Sequence, residues 1–525
     1  MVILGLGGIL TDAAAALVKD GALVAAAEQK KVARHSAPGQ TPMEAVDACL
    51  GTARLERRHV DIVAVVRPLA AGAETALHLE LRAAFPNAQV LLLDHHTAHA
   101  ASAYYASGFD HATVLTLDRQ GDLRCGARWQ GEGNRLTLER ELYFPDSLGD
   151  LYSRVTALLG FVPNADEHKV QWLSTSGDDR FANLFEDVIG TADGGWPRQN
   201  PAYFDSRQVG SGGFGAKLYG ALGIADGAVV PSALKPHVAA GVQRTIERAV
   251  LAMAGEGDNL ALAGGLAFNA LLIHALETSG RWRNVFVQPV SGNAGTALGA
   301  AMHGWHAAAN QQPRLAFDTI CLGPSFIAEE VKKVLENCKL RFRYLLTEGE
   351  LIEAAVAQLN EQKIVAWMQG RMEFGPRALG NRSILASPLN PYSTENLNTY
   401  IKHRESFRKF AASVPAELVS EYFEVGPNAR FLATVGRVKP AHRATFESAV
   451  LGKDFVRVHV VRQEDNPLYW SLLHAAGKST GLPVLYNTSF NLFGDPLVCT
   501  PRDAVRSFYS SGIDTLFAGN FLLQK

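Results

Sequence analysis

The first 28 residues restrict the fold more than any other stretch. Val2 to Leu6 reads as a strand, Gly7-Gly8 as a tight turn, Ala13 to Val18 as a second strand, Lys19-Asp20-Gly21 as a hairpin turn and Ala22 to Glu28 as a third strand. Strand-like runs at Asp61 to Val66, Gln89 to Leu93, Thr113 to Leu117 and Leu260 to Leu262 then alternate with helical patterns, which predicts a layered α/β domain. A chain of 525 residues exceeds what one ordinary core organises, so two or more domains are expected. Gln311-Gln312-Pro313 and the region of Gly323-Pro324 read as linkers. Beyond them, Leu351 to Leu359 has helical spacing and Lys363 to Met368 reads as a strand. A β-rich tail follows, with helical patterns at Leu468 to Ala476 and Pro501 to Ser510. The expected division is 1–345 and 346–525, and no internal repeat stands out.

With 47% hydrophobic and 19% charged residues the chain reads as an ordinary folded protein, and a net charge of −2 gives no footprint for nucleic acid or an anionic membrane. The five cysteines are scattered and lack CxxC spacing, which argues against a disulfide framework or a zinc ribbon. Met1 begins a segment without a basic leader, and no apolar run approaches the ~20 residues of a membrane span. A cytoplasmic protein acting on small molecules is expected.

Two clusters carry chemistry. The run from Gly370 to Ser383 places Arg371, Arg377 and Arg382 on a loop with a Gly375-Pro376 turn, straight after a strand, so guanidiniums there can grip phosphate or carboxylate oxygens. His95 and His99 are four apart on a segment that reads as a helix after the strand ending at Leu93, so both imidazoles project from one face and suit a metal. Asp118, at the end of the next strand, is the candidate third ligand. Ala263-Gly264-Gly265-Leu266-Ala267-Phe268-Asn269 follows a strand, and its glycines let backbone approach a nucleotide.

These blocks, in order, resemble the carbamoyltransferase family that includes nodulation and antibiotic O-carbamoyltransferases. The likeness rests on Asp94 to Ser102, the Gly370 to Ser383 run, Ile401 to Phe410 and Pro483 to Asn491, so it covers nearly the whole chain. It implies an N-terminal domain with the actin, heat-shock-ATPase and sugar-kinase fold, of the threonylcarbamoyl-transferring branch, and an α+β C-terminal domain of the YrdC type. It also implies that carbamoyl phosphate and ATP give carbamoyl-adenylate in the C-terminal domain, and that the N-terminal domain passes the carbamoyl group to the hydroxyl of a small acceptor. Mg²⁺ would accompany the nucleotide, and a divalent ion, with Fe²⁺ as a candidate, would occupy the histidine site. A homodimer is one expected assembly.

Residue by residue, the resemblance places Arg377, Lys402, Arg404 and Arg408 around carbamoyl phosphate and the triphosphate; Asn487, Thr488, Ser489 and Asn491 end a strand with short uncharged polar side chains suited to nucleotide or triphosphate binding, Arg371 on the arginine loop is a further binding candidate, and His403, another, stands where relatives often carry a second lysine. Gly264, Gly265, Asn269 and Lys169 are nucleotide or phosphate contacts by the same likeness. Three departures stand out. Asn293 replaces the aspartate of the family's metal turn, so a neutral amide takes a ligand position. Arg119 interrupts a glycine-rich turn. Thr11-Asp12 stands where the family has His-Asp, which leaves His96, Asp12 or water activated at the metal as the base for the acceptor hydroxyl. Transfer to an amine, or a binding homologue that has lost catalysis, are the rival readings.

Overall fold

The computed structural model describes residues 1–67, 74–309 and 315–525, so the linker-like Gln311-Gln312-Pro313 lies outside the described residues. It forms two compact units, and neither is a single stretch of sequence. One comprises Met1–Leu93, Asn293–Val450 and Val456–Lys525, and the other Asp94–Gly292 with Leu451–Phe455.

The first unit contains a five-stranded sheet in the order β3-β2-β1-β4-β5, built from β1 (Val2–Gly7), β2 (Ala14–Lys19), β3 (Ala22–Glu28), β4 (Ile62–Val66) and β5 (Gln89–Leu93). β1 to β3 are an antiparallel meander, while β4 and β5 add parallel to β1. Every residue of β1 and β4 is buried, as expected for strands covered on both faces. The helix Gly295–Ala309 lies against β1 so closely that a Cβ at Gly5 would stand 2.1 Å from the Ala297 carbonyl oxygen. Only glycine fits there.

The second unit repeats this plan. Its sheet holds β6 (His111–Gly121), β7 (Arg124–Glu132), β8 (Arg135–Tyr143), β9 (Gly257–Ala263) and β10 (Trp282–Val287), in the order β8-β7-β6-β9-β10. Again the first three strands are antiparallel and the last two parallel. Two copies of one strand order make this the duplicated α/β architecture of the actin and sugar-kinase fold class, although no repeat is visible in the residues themselves.

The first unit also carries a ten-stranded mixed sheet formed by residues 343–524. Strand Val365–Met368 shows why it is a buried layer: Val365 and Trp367 enter one apolar cluster, and Ala366 and Met368 enter the other. Helices Glu348–Asn360 and Pro467–Thr480 cover the first face through Leu351, Leu359, Leu472 and Leu473. Ala328–Asn337 and Pro501–Tyr509 cover the other through Val331, Leu335, Val505 and Phe508. This is an α+β arrangement. Among the described residues, no helix is long and apolar enough to cross a membrane.

Candidate active site

In the second unit, helix His95–Ser107 begins immediately after Asp94, whose side chain accepts the Thr97 N–H at 2.9 Å, and ends at Gly108 in the left-handed region. One turn of this helix places His95 and His99 on a common face. Asp118 meets them from β6, which continues to Gly121 with a register irregularity between Leu117 and Gly121, where bulged backbone redirects side chains. His95 Nε2 and His99 Nε2 donate to the same carboxylate oxygen, Asp118 Oδ2, at 2.9 and 3.1 Å. One ligand atom from each of the three residues falls within 4.8 Å of the others.

The electrostatics follow from burial around one carboxylate. Burial opposes charge on Asp118, but the hydrogen bonds from His95 and His99 outweigh it and hold its pKa well below the usual range. For His95, burial is likewise outweighed by Asp118, and its pKa rises. Burial and the repulsion of His95 lower that of His99. His99 Nδ1 is buried without a hydrogen-bond partner among the described residues, so the neutral ring carries its proton on Nε2, toward Asp118. Two imidazoles and one carboxylate are a donor set that fits a divalent ion of borderline softness.

His96 is placed differently. Its Nε2 donates to the Arg124 carbonyl at 3.1 Å, which makes Nδ1 the acceptor facing Thr116 Oγ1 at 2.8 Å. Burial first, then the neighbouring histidines, push its pKa well down. It is buried and neutral, with both ring nitrogens engaged by protein groups.

Gly264 adopts φ of +98°, its N–H donates to the Ser291 carbonyl at 2.8 Å, and a Cβ there would stand 2.1 Å from the Leu117 carbonyl oxygen. The glycine turn thus presses on the strand that carries Asp118, and a Cβ on Gly265 would lie 3.0 Å from Asp118 Oδ1. Asn269 caps helix Ala270–Thr278, and its amide bonds with Gln171 and Gln243 in a buried network. Lys169 pairs with Asp166 at 3.1 Å, and Arg119 donates to Asp150 and Asn164. In the first unit, Asn293 Nδ2 donates to Thr11 Oγ1 at 2.6 Å, beside the Gly8 to Asp12 turn. The trio is complete within one unit, and Asn293 and Asp12 belong to the other.

The second cluster lies in the first unit. The loop after strand Val365–Met368 folds around Glu373, a fully buried carboxylate whose Oε1 accepts the N–H groups of Leu379, Asn381 and Arg382 at 2.7, 2.9 and 3.3 Å. Arg382 is buried and donates to the carbonyls of Gln369, Gly370 and Asn381. Arg371 likewise donates to the carbonyls of Val24, Leu322 and Gly323. These two arginines fix backbone. Arg377 lies partly exposed on the same loop, and burial and then Arg408 lower its pKa to about 10.

Arg408 also acts on Lys402, Arg404 and Arg457, so these five cations share one electrostatic neighbourhood. Burial, followed by Arg408, brings Arg404 to about 9, still charged at neutral pH; its guanidinium lies 4.4 Å over the Phe410 ring and donates to Asn398 Oδ1 at 2.7 Å. Two cations ~5 Å apart in an effective dielectric of ~20 repel by about 3 kcal/mol, a cost that a bound polyanion removes. Arg457 is the member missed in the sequence. It lies in strand Phe455–Val461, between Val456 and Val458, and its neighbourhood to Arg377, Arg404 and Arg408 marks it.

Lys402 Nζ is surrounded by the Ser489 carbonyl, the Asn491 carbonyl and Asn491 Oδ1 at 2.5, 2.9 and 2.7 Å. Three acceptors hold three protons on it, although burial and then Arg404 and Arg408 lower its pKa well below the lysine range. Ser489 Oγ donates to Asn491 Oδ1 at 2.7 Å, and Asn487 Nδ2 donates to the Ala378 carbonyl at 3.0 Å, next to Arg377. Asn487 Oδ1 is buried and unpartnered among the described residues. Thr488 pairs with Ile384 across the sheet. His403 is exposed and left-handed, with φ of +44°, at the end of the π-helical turn Leu397–Lys402. Two constellations therefore emerge: a nitrogen and carboxylate trio in one unit, and a cationic, amide-rimmed cluster in the other.

The carbamoyltransferase N-terminus family model matches residues 72–302, and the carbamoyltransferase C-terminus model matches residues 356–525. A Synechocystis sp. protein, sll1178, is 33% identical over 100% of this chain and 96% of its own length. Nodulation protein NolO of Bradyrhizobium diazoefficiens is 33% identical over 82% of this chain and 79% of its own. The 3'-hydroxymethylcephem-O-carbamoyltransferase of Amycolatopsis lactamdurans is 29% identical over 51% of this chain and 49% of that enzyme. Among solved structures, HypF of T. kodakarensis aligns with 60% of this chain and 49% of its own, at a TM-score of 0.36 and 18% identity. On the two family models and the full-length likenesses, this chain belongs to the carbamoyltransferase family.

Proposed function

We propose that the protein is an ATP-dependent O-carbamoyltransferase with two reaction centres, divided functionally near residue 345, the second part being a YrdC-like domain. Carbamoyl phosphate, ATP and one water give carbamoyl-adenylate, pyrophosphate and phosphate at the cationic site. The acceptor hydroxyl of a small molecule then attacks the carbamoyl carbon, loses its proton and releases AMP. The observation that supports this reading is that Arg377, Lys402, Arg404, Arg408 and Arg457 share one electrostatic neighbourhood. Phosphoryl and adenylyl transfers spread charge over non-bridging oxygens, and preorganised guanidiniums stabilise it without reorganising during the reaction. A mixed anhydride of carbamate hydrolyses readily, which favours its consumption in the same protein.

In this reading Arg377, Arg404, Arg408 and Arg457 hold the anions, with Mg²⁺ accompanying ATP, and Lys402 sets the Ser489–Asn491 turn against them. His95, His99 and Asp118 would hold a divalent ion, with Fe²⁺ a candidate, which when bound supplies Lewis-acid polarisation to the transfer step. With both ring nitrogens of His96 engaged by protein groups, His96 is not free to take the acceptor proton. A cytoplasmic location belongs to the same reading. The test is carbamoyl-phosphate-dependent release of pyrophosphate from ATP without any acceptor, with carbamoyl-adenylate identified by mass spectrometry. A folded, magnesium-supplied protein that releases none under these conditions, or when candidate acceptors are added, would overturn it.

A further inference from the structure

We propose that Glu28 and Lys31, from the opening segment of the chain, are positioning residues for Arg377. This rests on the reading of Arg377 as an anion contact. β3 ends at Glu28 and runs directly into the short helix Gln29–Ala33, which inserts its side chains into the loops of the anion site. Lys31 Nζ donates to the Glu373 carbonyl at 3.1 Å and to the Gly375 carbonyl, while Glu28 Oε2 accepts the Gly375 N–H at 3.0 Å. Both backbone polar groups of Gly375, two residues before Arg377, are thereby held from outside their own loop. Gly375 has φ of +103°, so the turn at this point uses a conformation open to glycine.

The grip extends beyond Gly375. Arg34 donates to the carbonyls of Leu497 and Pro496 at 2.7 and 3.0 Å, and Val32 packs against Met372, Ala378, Leu497 and Cys499. At its start the helix is anchored by the Gln29 N–H on the Ala13 carbonyl at 2.8 Å, one residue past Asp12. Glu28 and Lys31 pair with each other, with side chains only 17% and 8% exposed. Burying an ion pair is a costly way to gain stability, whereas the directionality of its hydrogen bonds fixes geometry. Geometry is what this loop requires: Arg377 shares its surroundings with the like charge of Arg408, so its placement depends on how firmly the preceding turn is held.

The test uses the full chain with the variants Lys31→Met, Lys31→Arg, Glu28→Gln and, as comparator, Arg377→Ala. Inorganic phosphate binding is measured by calorimetry, and carbamoyl-phosphate-dependent pyrophosphate release gives KM and kcat separately. The expected result is a tenfold or greater weakening of phosphate binding and a matching rise in the KM for carbamoyl phosphate in Lys31→Met, recovered to within about threefold in Lys31→Arg. Glu28→Gln, which keeps the side-chain volume, carries the same expectation if Lys31→Met does not fold. Unchanged phosphate affinity and KM in the folded variants, alongside losses in Arg377→Ala, would overturn the inference. Unchanged values in Arg377→Ala itself would instead overturn the underlying reading of the anion site.

Discussion

The Lys402 ammonium lies 2.7 Å from Asn491 Oδ1 and 2.9 Å from the Asn491 carbonyl, so a residue expected to touch ligand is engaged with its own protein. Its effect on catalysis should pass through Asn491. Lys402→Met and Asn491→Ala should each lower kcat/KM for pyrophosphate release, and the double variant should lose little more than the worse single one. The coupling expected for directly bonded partners is about 0.5–3 kcal/mol. Additive losses in the cycle would mean that Lys402 acts on the anion independently.

Much of this was legible in the sequence where a pattern is local. The spacing of His95 and His99, the start of their helix and the hairpins of β1 to β3 follow from periodicity and turn residues, and the structure has them within a residue or two. Asp118 is legible as a strand-end residue, although β6 runs on to Gly121 with a register irregularity between Leu117 and Gly121. What stayed hidden depends on long-range placement. Arg457 sits in an ordinary alternating strand, and the duplicated sheet has no residue-level repeat because strand order is carried by topology rather than by particular side chains. Glu373 gave no signal either, since its role is to collect backbone N–H groups brought to it by the loop.

Arg408 acts on every other cation of the cluster. Arg408→Ala should lower pyrophosphate release by a factor on the order of 10², the ~3 kcal/mol typical of a lost transition-state charge contact, while circular dichroism stays that of wild type and thermal stability without ligand is equal to or above it, because like-charge repulsion is relieved. Stabilisation by phosphate or pyrophosphate should be smaller in the variant than in wild type. Undiminished release would remove Arg408 from the catalytic set.

A Cβ added at Gly121 would stand 2.3 Å from His95 Cδ2, closer than real atoms approach, so the ring must shift. Gly121→Ala therefore tests the trio without altering a ligand. Metal content measured by mass spectrometry after loading should fall relative to wild type, with the protein still folded. His99→Ala should do the same, and the carbamoyl-adenylate should still form but not be transferred. Equal loss of both half-reactions in His99→Ala would argue against two separate centres.

His459 supplies a pH dependence of stability. Its ring is buried, with Ser413 Oγ 3.0 Å from Nδ1 and the Tyr469 ring stacked alongside, and burial drives its pKa down to about 3, with Asp465 acting weakly in the opposite direction. A base with a depressed folded-state pKa binds its proton more readily when unfolded. The stability it contributes is therefore present above the unfolded value near 6.5 and is lost as pH falls toward 3. Between pH 7 and pH 5 this one group should cost about 2 kcal/mol. His459→Asn should lower stability at pH 7 through lost packing but flatten the acid slope by that amount, measured by urea denaturation at several pH values. An acid slope identical to wild type would mean that His459 is already able to take up a proton in the folded protein, through a water path or through Asp465.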